Sequence, residues 1–367
     1  MQSLRILIIT HAPLSPKYGA SQMAINLAKV FQEQGHDVTL WSPLPLPPET
    51  KWWQSTQQMR SKVDAFIESQ KPFDIIDIPP IFITQRVSQS ALVVARSVQP
   101  DILYIAESFT NCKIKNIKDI VRIPLSNLYS LFQVSLILQG WKRAKYILCL
   151  GSLELQWMKK WFPWWRSKLI YYVNALSKEE QEALTQIRLH RRQNHSQGSI
   201  KFLWIGRWVS HKGTTQMLNF IKKRTASHPQ DTFTIAGCGT EAEKDVPIEL
   251  IRAGVIKIVH SFERSQLYTL LANHDVGLFT SKVEGWGLVL NEMLESGMQV
   301  YATPVGGVQD LQSFFKETLK PFPPPLQLMT NFSINSQNFE DYYKIFTWSE
   351  IAKSYINLII IDLCKKN

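Results

Sequence analysis

Between Glu284 and Glu292 lie seven residues whose types could hold a polyhydroxyl ligand. The stretch from Ser281 reads Ser-Lys-Val-Glu-Gly-Trp-Gly-Leu-Val-Leu-Asn-Glu, with Gly297 beyond it and Ala-Thr-Pro-Val-Gly-Gly at 302–307. A strand should end near Ser281, and Glu284, Gly285 and Gly287 should form a turn that opens directly into a helix. Glycine there lets backbone amides come close to a ligand. The first turn of a helix also offers amides with no intrahelical acceptor and the positive end of the dipole, which suits phosphate or sugar oxygens. Glu292 lies two helical turns beyond Gly285 and should face the side of the turn. Two carboxylates along one groove accept hydrogen bonds from hydroxyls and so suit ribose and hexose. Either glutamate alone would be an ordinary solvated side chain; the whole stretch is much harder to read that way.

A second pair of groups is cationic. Gly206-Arg207 stands five residues before Lys212-Gly213, in a loop expected after a strand and before a helix. Arginine presents a planar fork of donors and lysine a point charge, so together they could neutralise a diphosphate and stabilise it as it leaves. Taken alone, the pair reads equally well as two surface cations. Gly237-Cys238-Gly239 marks another turn after a strand, a weaker signal that fits a tight turn equally well. His11 falls in the first strand-to-helix loop, and a loop histidine without a role is the preferred reading.

The elements that must position these groups alternate. Ile6–Ile9 reads as a buried strand, 22–34 as a helix ended by Gly35, and Val38–Trp41 as the next strand, a βαβ unit that demands a parallel sheet. Short apolar runs at Ile75-Ile76, Leu92–Val94, Ile102–Ile105 and Tyr146–Leu150 read as further strands of that domain. A polar stretch at 176–199 is expected to be a helix ending in a linker. Alternation resumes with strands at Phe202–Ile205, Phe233–Ala236, Val255–Val259, Val276–Thr280 and Gln299–Ala302, and helices from Gln216 and from Leu288. The fold class is therefore α/β, with two doubly wound domains, as 367 residues would suggest.

Composition agrees. Hydrophobic residues make up 45% and charged residues 19%, enough apolar side chains for two cores and too few charges for a disordered chain. A net charge of +11 calls for an anionic partner such as nucleotide phosphates or phospholipid. Nucleic acid is not expected, since no zinc pattern, basic zipper or RNA-binding aromatic motif is present. The cysteines, Cys112, Cys149, Cys238 and Cys364, are spaced neither as metal ligands nor as a disulfide framework, so free thiols and a cytoplasmic location are expected. The N-terminus runs straight into the first strand and reads as structure, not as a leader. No apolar run approaches the roughly 20 residues needed to span a bilayer.

The motif from Glu284 to Glu292 resembles the signature of retaining glycosyltransferases of family 4, and so does the Gly-Arg…Lys-Gly pair at 206–213. Weaker likenesses extend it along most of the chain: Tyr18-Gly19-Ala20 stands where that family has a glycine-rich loop touching donor phosphate and acceptor, and Gly35-His36-Asp37-Val38, Val173-Asn174 and Trp348–Tyr355 match other family landmarks. The resemblance implies the GT-B architecture, two Rossmann-like doubly wound domains facing across a cleft. The N-terminal acceptor-side domain would span 1–175 and be completed by a C-terminal helix at about 346–367; the donor-binding domain would span 200–345. Arg207 and Lys212 would hold the donor pyrophosphate. Glu284 would contact the transferred sugar, with Gly285, Trp286, Gly287 and Leu288 supplying backbone amides, Glu292 binding the ribose hydroxyls, and Gly206 and Gly237 lining the donor site. No metal or other cofactor would be needed, because the two cations replace it. One departure bears on catalysis. Many members carry a histidine after the strand that Leu92–Ser97 resembles, and here Val98 stands there; Ala20 also replaces a usual glycine. A non-catalytic protein that binds nucleotide sugar or glycan is the alternative, and a nucleotide-sugar epimerase is a third.

Residues 154–168 contain Trp157, Trp161, Trp164 and Trp165 with Lys159 and Lys160 among them. Tryptophan and lysine settle at a lipid headgroup layer, so this stretch is either a peripheral patch on the inner face of a membrane or a surface helix whose aromatic face packs onto the domain. The first reading suits a lipid-linked acceptor.

Overall fold

The structure is a computed structural model that describes residues 3–15, 19–97, 100–110, 117–191, 199–328 and 339–363. In chain order the elements are β1 (Arg5–Ile9), α1 (Gly19–Glu33), β2 (Asp37–Trp41), α2 (Ser55–Ser69), β3 (Ile75–Ile78), α3 (Gln85–Ser90), β4 (Leu92–Arg96), α4 (Asp101–Thr110), α5 (Ile117–Arg143), β5 (Tyr146–Leu150), α6 (Gly151–Trp161) and β6 (Leu169–Tyr172). There follow α7 (Lys178–Arg191), β7 (Lys201–Ile205), α8 (Thr214–Ser227), β8 (Thr232–Ala236), α9 (Ile248–Arg252), β9 (Ile256–Val259), α10 (Arg264–Ala272), β10 (Val276–Phe279), α11 (Leu288–Glu295), β11 (Gln299–Ala302), α12 (Val308–Gln312), β12 (Leu319–Pro321), α13 (Phe339–Tyr343) and α14 (Trp348–Leu363). The chain divides into two compact units, Met1–Asn174 with Trp348–Asn367, and Ala175–Thr347.

The first unit is built on a six-stranded parallel sheet in the order β2-β1-β3-β4-β5-β6. Its central strands are apolar on both faces because helices cover both. Ile6, Leu7, Ile8 and Ile9 of β1 are all fully buried. Asp77 of β3 is an exception in this core. It pairs with the fully buried Arg96 of β4 and accepts from the Tyr355 hydroxyl at 2.8 Å. Tyr355 belongs to α14 and also meets Phe31 of α1 edge to face at 5.3 Å. A carboxylate buried with its cation and a phenol thus ties α14 to β3, and removing either charged member would leave an uncompensated charge at a cost of about 3–5 kcal/mol.

One expected strand is a helix. Ile102–Ile105 falls within α4, where the Pro100 carbonyl accepts from the amides of Leu103 and Tyr104 at 2.8 and 3.1 Å. Proline followed by aspartate is a helix-start signal that outweighs a short apolar run. Ile102 and Ile105, one turn apart, pack on the core from this helix. The sixth strand is supplied by Leu169–Tyr172.

The second unit has its own six-stranded parallel sheet, ordered β12-β11-β10-β7-β8-β9. The strand order reverses between β7 and β10, a topological switch point at which α/β sheets hold ligands beyond their carboxyl ends. The segment 176–199 contributes α7 to this unit, where Arg188 donates to the Glu295 carbonyl at 2.6 Å and Arg191 to the His274 carbonyl at 2.6 Å. Its remainder, including Arg192, Asn194, Ser196 and Gly198, lies outside the described residues, as do Tyr18, Val98, Cys112 and Cys364. Cys149 and Cys238 are free and buried.

Candidate functional site

The two motifs leave the two strands that flank the switch point. Residues 206–213 follow β7, and residues 280–287 follow β10. They are stitched to each other. The Thr280 hydroxyl donates to the Lys212 carbonyl at 2.8 Å and accepts from the Trp204 indole at 2.9 Å, while the Lys282 amide donates to the His211 carbonyl at 2.7 Å. Gly213 makes this fit possible. It has φ of +69°, and a Cβ there would lie 1.8 Å from the Thr280 carbonyl oxygen.

This stitching places Lys212 in a direct ion pair with Glu284, with both side chains largely buried. Ser281 adds a hydroxyl to the Glu284 carboxylate at 3.1 Å. A group held by Lys212 therefore lies within reach of the Glu284 carboxylate. Arg207, at the start of the same loop, is exposed. The turn that carries Glu284 is backed by the 303–307 loop, where the Gly307 amide donates to the Trp286 carbonyl at 2.9 Å and Thr303 donates to the Ser281 carbonyl at 2.5 Å. Gly287, at φ +89°, swings the chain into α11 and caps it from the left-handed region. Leu288 is the first residue of that helix, and Gly285 lies in the turn before it.

Glu292 sits in the second turn of α11 and is buried. Its Oε1 accepts from Arg264 Nη1 at 2.5 Å, and Nη2 of the same guanidinium pairs with Glu180. Burial pushes the Glu292 carboxyl up, and the Arg264 charge opposes the shift. Burial also works to lower the Arg264 pKa, but the two carboxylates outweigh it and hold the guanidinium above its ordinary value. Glu180 is itself fixed, since Glu180 Oε2 accepts from the Ser177 amide at 2.8 Å and the Glu180 amide donates to the Ser177 hydroxyl at 3.2 Å, a reciprocal capping box at the start of α7.

Neither Arg264 nor Glu180 was singled out by residue type and spacing. The available signal was Arg264 at the first position of α10, where the helix dipole disfavours a cation and another use must compensate. Trp286 serves differently from its neighbours. Its side chain is buried, and its indole donates to Asn291 at 2.7 Å, which donates to the Tyr342 hydroxyl at 2.7 Å, which in turn donates to Glu295 at 2.7 Å. Only the backbone of Trp286 is placed to serve the turn. Gly206 and Gly237 follow the neighbouring strands β7 and β8, joined by the Gly206 amide to the Ala236 carbonyl at 3.0 Å.

In the first unit, Gly19 and Ala20 open α1. His11 follows β1, and burial, with the nearby Arg96 charge, pushes its pKa down to about 4, so its ring is neutral at physiological pH. Val98 lies beyond the described residues. Ser97, just before it, donates to the buried Glu154 at 2.6 Å. The tryptophan patch divides in two. Trp157 and Trp165 pack with Phe162 against the core, Trp165 lying 5.8 Å from the Trp141 ring, whereas Trp161 and Trp164 are exposed. Lys159 and Lys160 are exposed beside them.

Comparison with known proteins places this geometry. Residues 185–314 match the family described as "Glycosyl transferases group 1", a range that contains both motifs and lies within the second unit. The phosphatidylinositol N-acetylglucosaminyltransferase GPI3 subunit of Saccharomyces cerevisiae is 21% identical over 180 residues, covering 46% of this chain and 40% of that protein. Glycogen synthase of Mycobacterium tuberculosis is 28% identical over 115 residues, covering 30% of this chain and 27% of its own length. The chain thus spans well under half the length of these relatives. Among solved structures, sucrose-phosphate synthase from Thermosynechococcus elongatus superposes over 99% of both chains with a TM-score of 0.67 at 13% identity. The two six-stranded parallel α/β units have the GT-B fold.

Proposed function

We propose that the protein is a retaining glycosyltransferase that moves a hexosyl unit from a UDP- or GDP-sugar to a hydroxyl of a glycan or lipid-linked glycan. The observation that carries this reading is the Lys212–Glu284 contact at the switch point, with Glu292 held in the second turn of the helix that follows. Arg207 and Lys212 neutralise the donor diphosphate, a role that leaves no need for a metal ion. Glu284 accepts from hydroxyls of the transferred sugar, and Glu292 accepts from the ribose diol. The bond between the anomeric carbon and the diphosphate breaks, the acceptor oxygen bonds to the same face of that carbon, and the acceptor proton passes to the departing phosphate. The cations stabilise the charge that develops on the leaving group, the largest electrostatic demand of the step.

A lipid-linked acceptor draws support from the relative whose name gives phosphatidylinositol as its acceptor, and from Trp161 and Trp164 standing exposed beside two lysines. This favours a cytoplasmic protein that is peripheral on a membrane. A second reading, a protein that binds nucleotide sugar without transferring it, is favoured by Val98 in place of a histidine.

Purified protein incubated with a panel of UDP-, GDP- and ADP-sugars should release nucleotide slowly from one donor. With an acceptor, the product should keep the anomeric configuration of the donor, read by NMR. An inverted product contradicts the retaining assignment. Donor binding without release in the presence of any acceptor supports the binding protein instead.

A further inference from the structure

We infer that the first unit carries a lipid-docking face, formed by the Trp52-Trp53 turn and the N-terminal half of α5, that settles on an anionic bilayer. This face is separate from the tryptophans of residues 154–168 and does not depend on the transfer chemistry.

The face is unusual for a soluble surface. Leu125, Leu128 and Phe132 recur at helical spacing along α5 and are 53%, 65% and 43% exposed. Leu131 is 58% exposed beside them. Across from this stripe, Trp52 and Trp53 are 45% and 49% exposed, and with the leucines they line a recess of about 650 Å³. Isolated apolar residues on a surface need no explanation, but a contiguous patch of this kind marks an interaction site.

The turn is held in place. Trp52 packs edge to face on Tyr129 of α5 at 5.1 Å and on Trp53 at 5.5 Å. The Tyr129 hydroxyl lies 2.7 Å from the Thr56 hydroxyl, so its polar end is used inward while the apolar edges face out.

Charge selects the occupant. Arg122 lines the recess, and Lys51 Nζ stands 5.3 Å from the centre of the Trp53 ring. The chain as a whole carries a net charge of +11. Tryptophan and leucine beside Arg122 and Lys51 form the combination that binds an anionic lipid surface. The apolar groups enter the headgroup boundary and the cations meet the lipid phosphates. Among the described residues no helix is long and apolar enough to cross a bilayer, so the face lies on the membrane and does not span it.

Flotation of the full chain with vesicles tests this. Binding should be about tenfold stronger to phosphatidylcholine vesicles containing about 30% phosphatidylglycerol than to phosphatidylcholine alone, and should weaken as salt rises. A Trp52→Ser/Trp53→Ser/Leu128→Ser variant should bind about tenfold more weakly, with its melting temperature within a few degrees of wild type, because the ring contacts it loses are at the surface. A Trp161→Ser/Trp164→Ser variant should keep most of the binding. Flotation of the triple variant equal to wild type, or no flotation of wild type on anionic vesicles, would overturn the proposal. A wild-type dimer that the same three substitutions dissociate, without flotation, would assign the face to a second copy of the chain instead.

Discussion

Arg264 and Glu292 meet at 2.5 Å, and the second nitrogen of that guanidinium holds Glu180, so one cation binds carboxylates from two helices. The consequence is chemical. In the proposed donor site, Glu292 must keep its charge to accept two hydrogen bonds from a ribose diol, and Arg264 opposes the burial that would neutralise it.

Replacing Arg264 with alanine should therefore weaken nucleotide-sugar binding about tenfold and lower stability by about 1–3 kcal/mol, since Glu292 is left buried and unpaired while the arginine itself is partly exposed. In that variant the Glu292 carboxyl rises further, so affinity should recover as pH increases. Arg264→Lys keeps the charge without the fork and should fall between the two. Calorimetric titration across pH checks this; a pH-independent loss would show that Arg264 contributes only packing.

Gly213 should tolerate no side chain. Its φ of +69° and the Thr280 carbonyl, 1.8 Å from where a Cβ would stand, both oppose alanine. Gly213→Ala should destabilise the protein by about 2–4 kcal/mol and separate the two loops, with loss of donor binding beyond what the melting temperature alone explains. Thermal melts paired with donor titration would show whether the loops act as one unit.

Glu295 makes stability depend on pH. Burial, opposed by the hydroxyls of Tyr342 and Tyr343, pushes its carboxyl up from 4.5 to about 7. A folded-state value above the unfolded one means that the fold prefers the protonated acid. The contribution is fully present below pH 4.5 and is lost as pH rises through about 7. The neutral isostere Glu295→Gln should thus flatten this part of the profile and gain on the order of 2–3 kcal/mol relative to wild type at pH 8, with little difference at pH 4. Parallel melting curves of the two proteins from pH 4 to 8 measure it.

Much of this was legible because the physics is local. Runs such as Ile6–Ile9 and Phe202–Ile205 must be buried strands, and a glycine turn before Leu288 must start a helix. The pairing of Lys212 with Glu284 was readable only in outline, since each follows a strand end but nothing in the spacing says that β7 and β10 are neighbours. Spacing does not mark Arg264, because its partners are 28 and 84 residues away. Ile102–Ile105 fits a strand or a helix because four apolar positions satisfy either period, and the deciding signal is the proline before them. The tryptophans at 157–165 divide between core and solvent, a choice fixed by Trp141 and Phe162 and not by composition.

The most direct test of the donor site is Glu284→Ala, compared with wild type for donor binding and nucleotide release. The donor-site assignment predicts a variant that melts within a few degrees of wild type, still binds free nucleotide through Lys212 and Glu292, and transfers no sugar. A Glu284→Ala protein that releases nucleotide and forms product at the wild-type rate would contradict it.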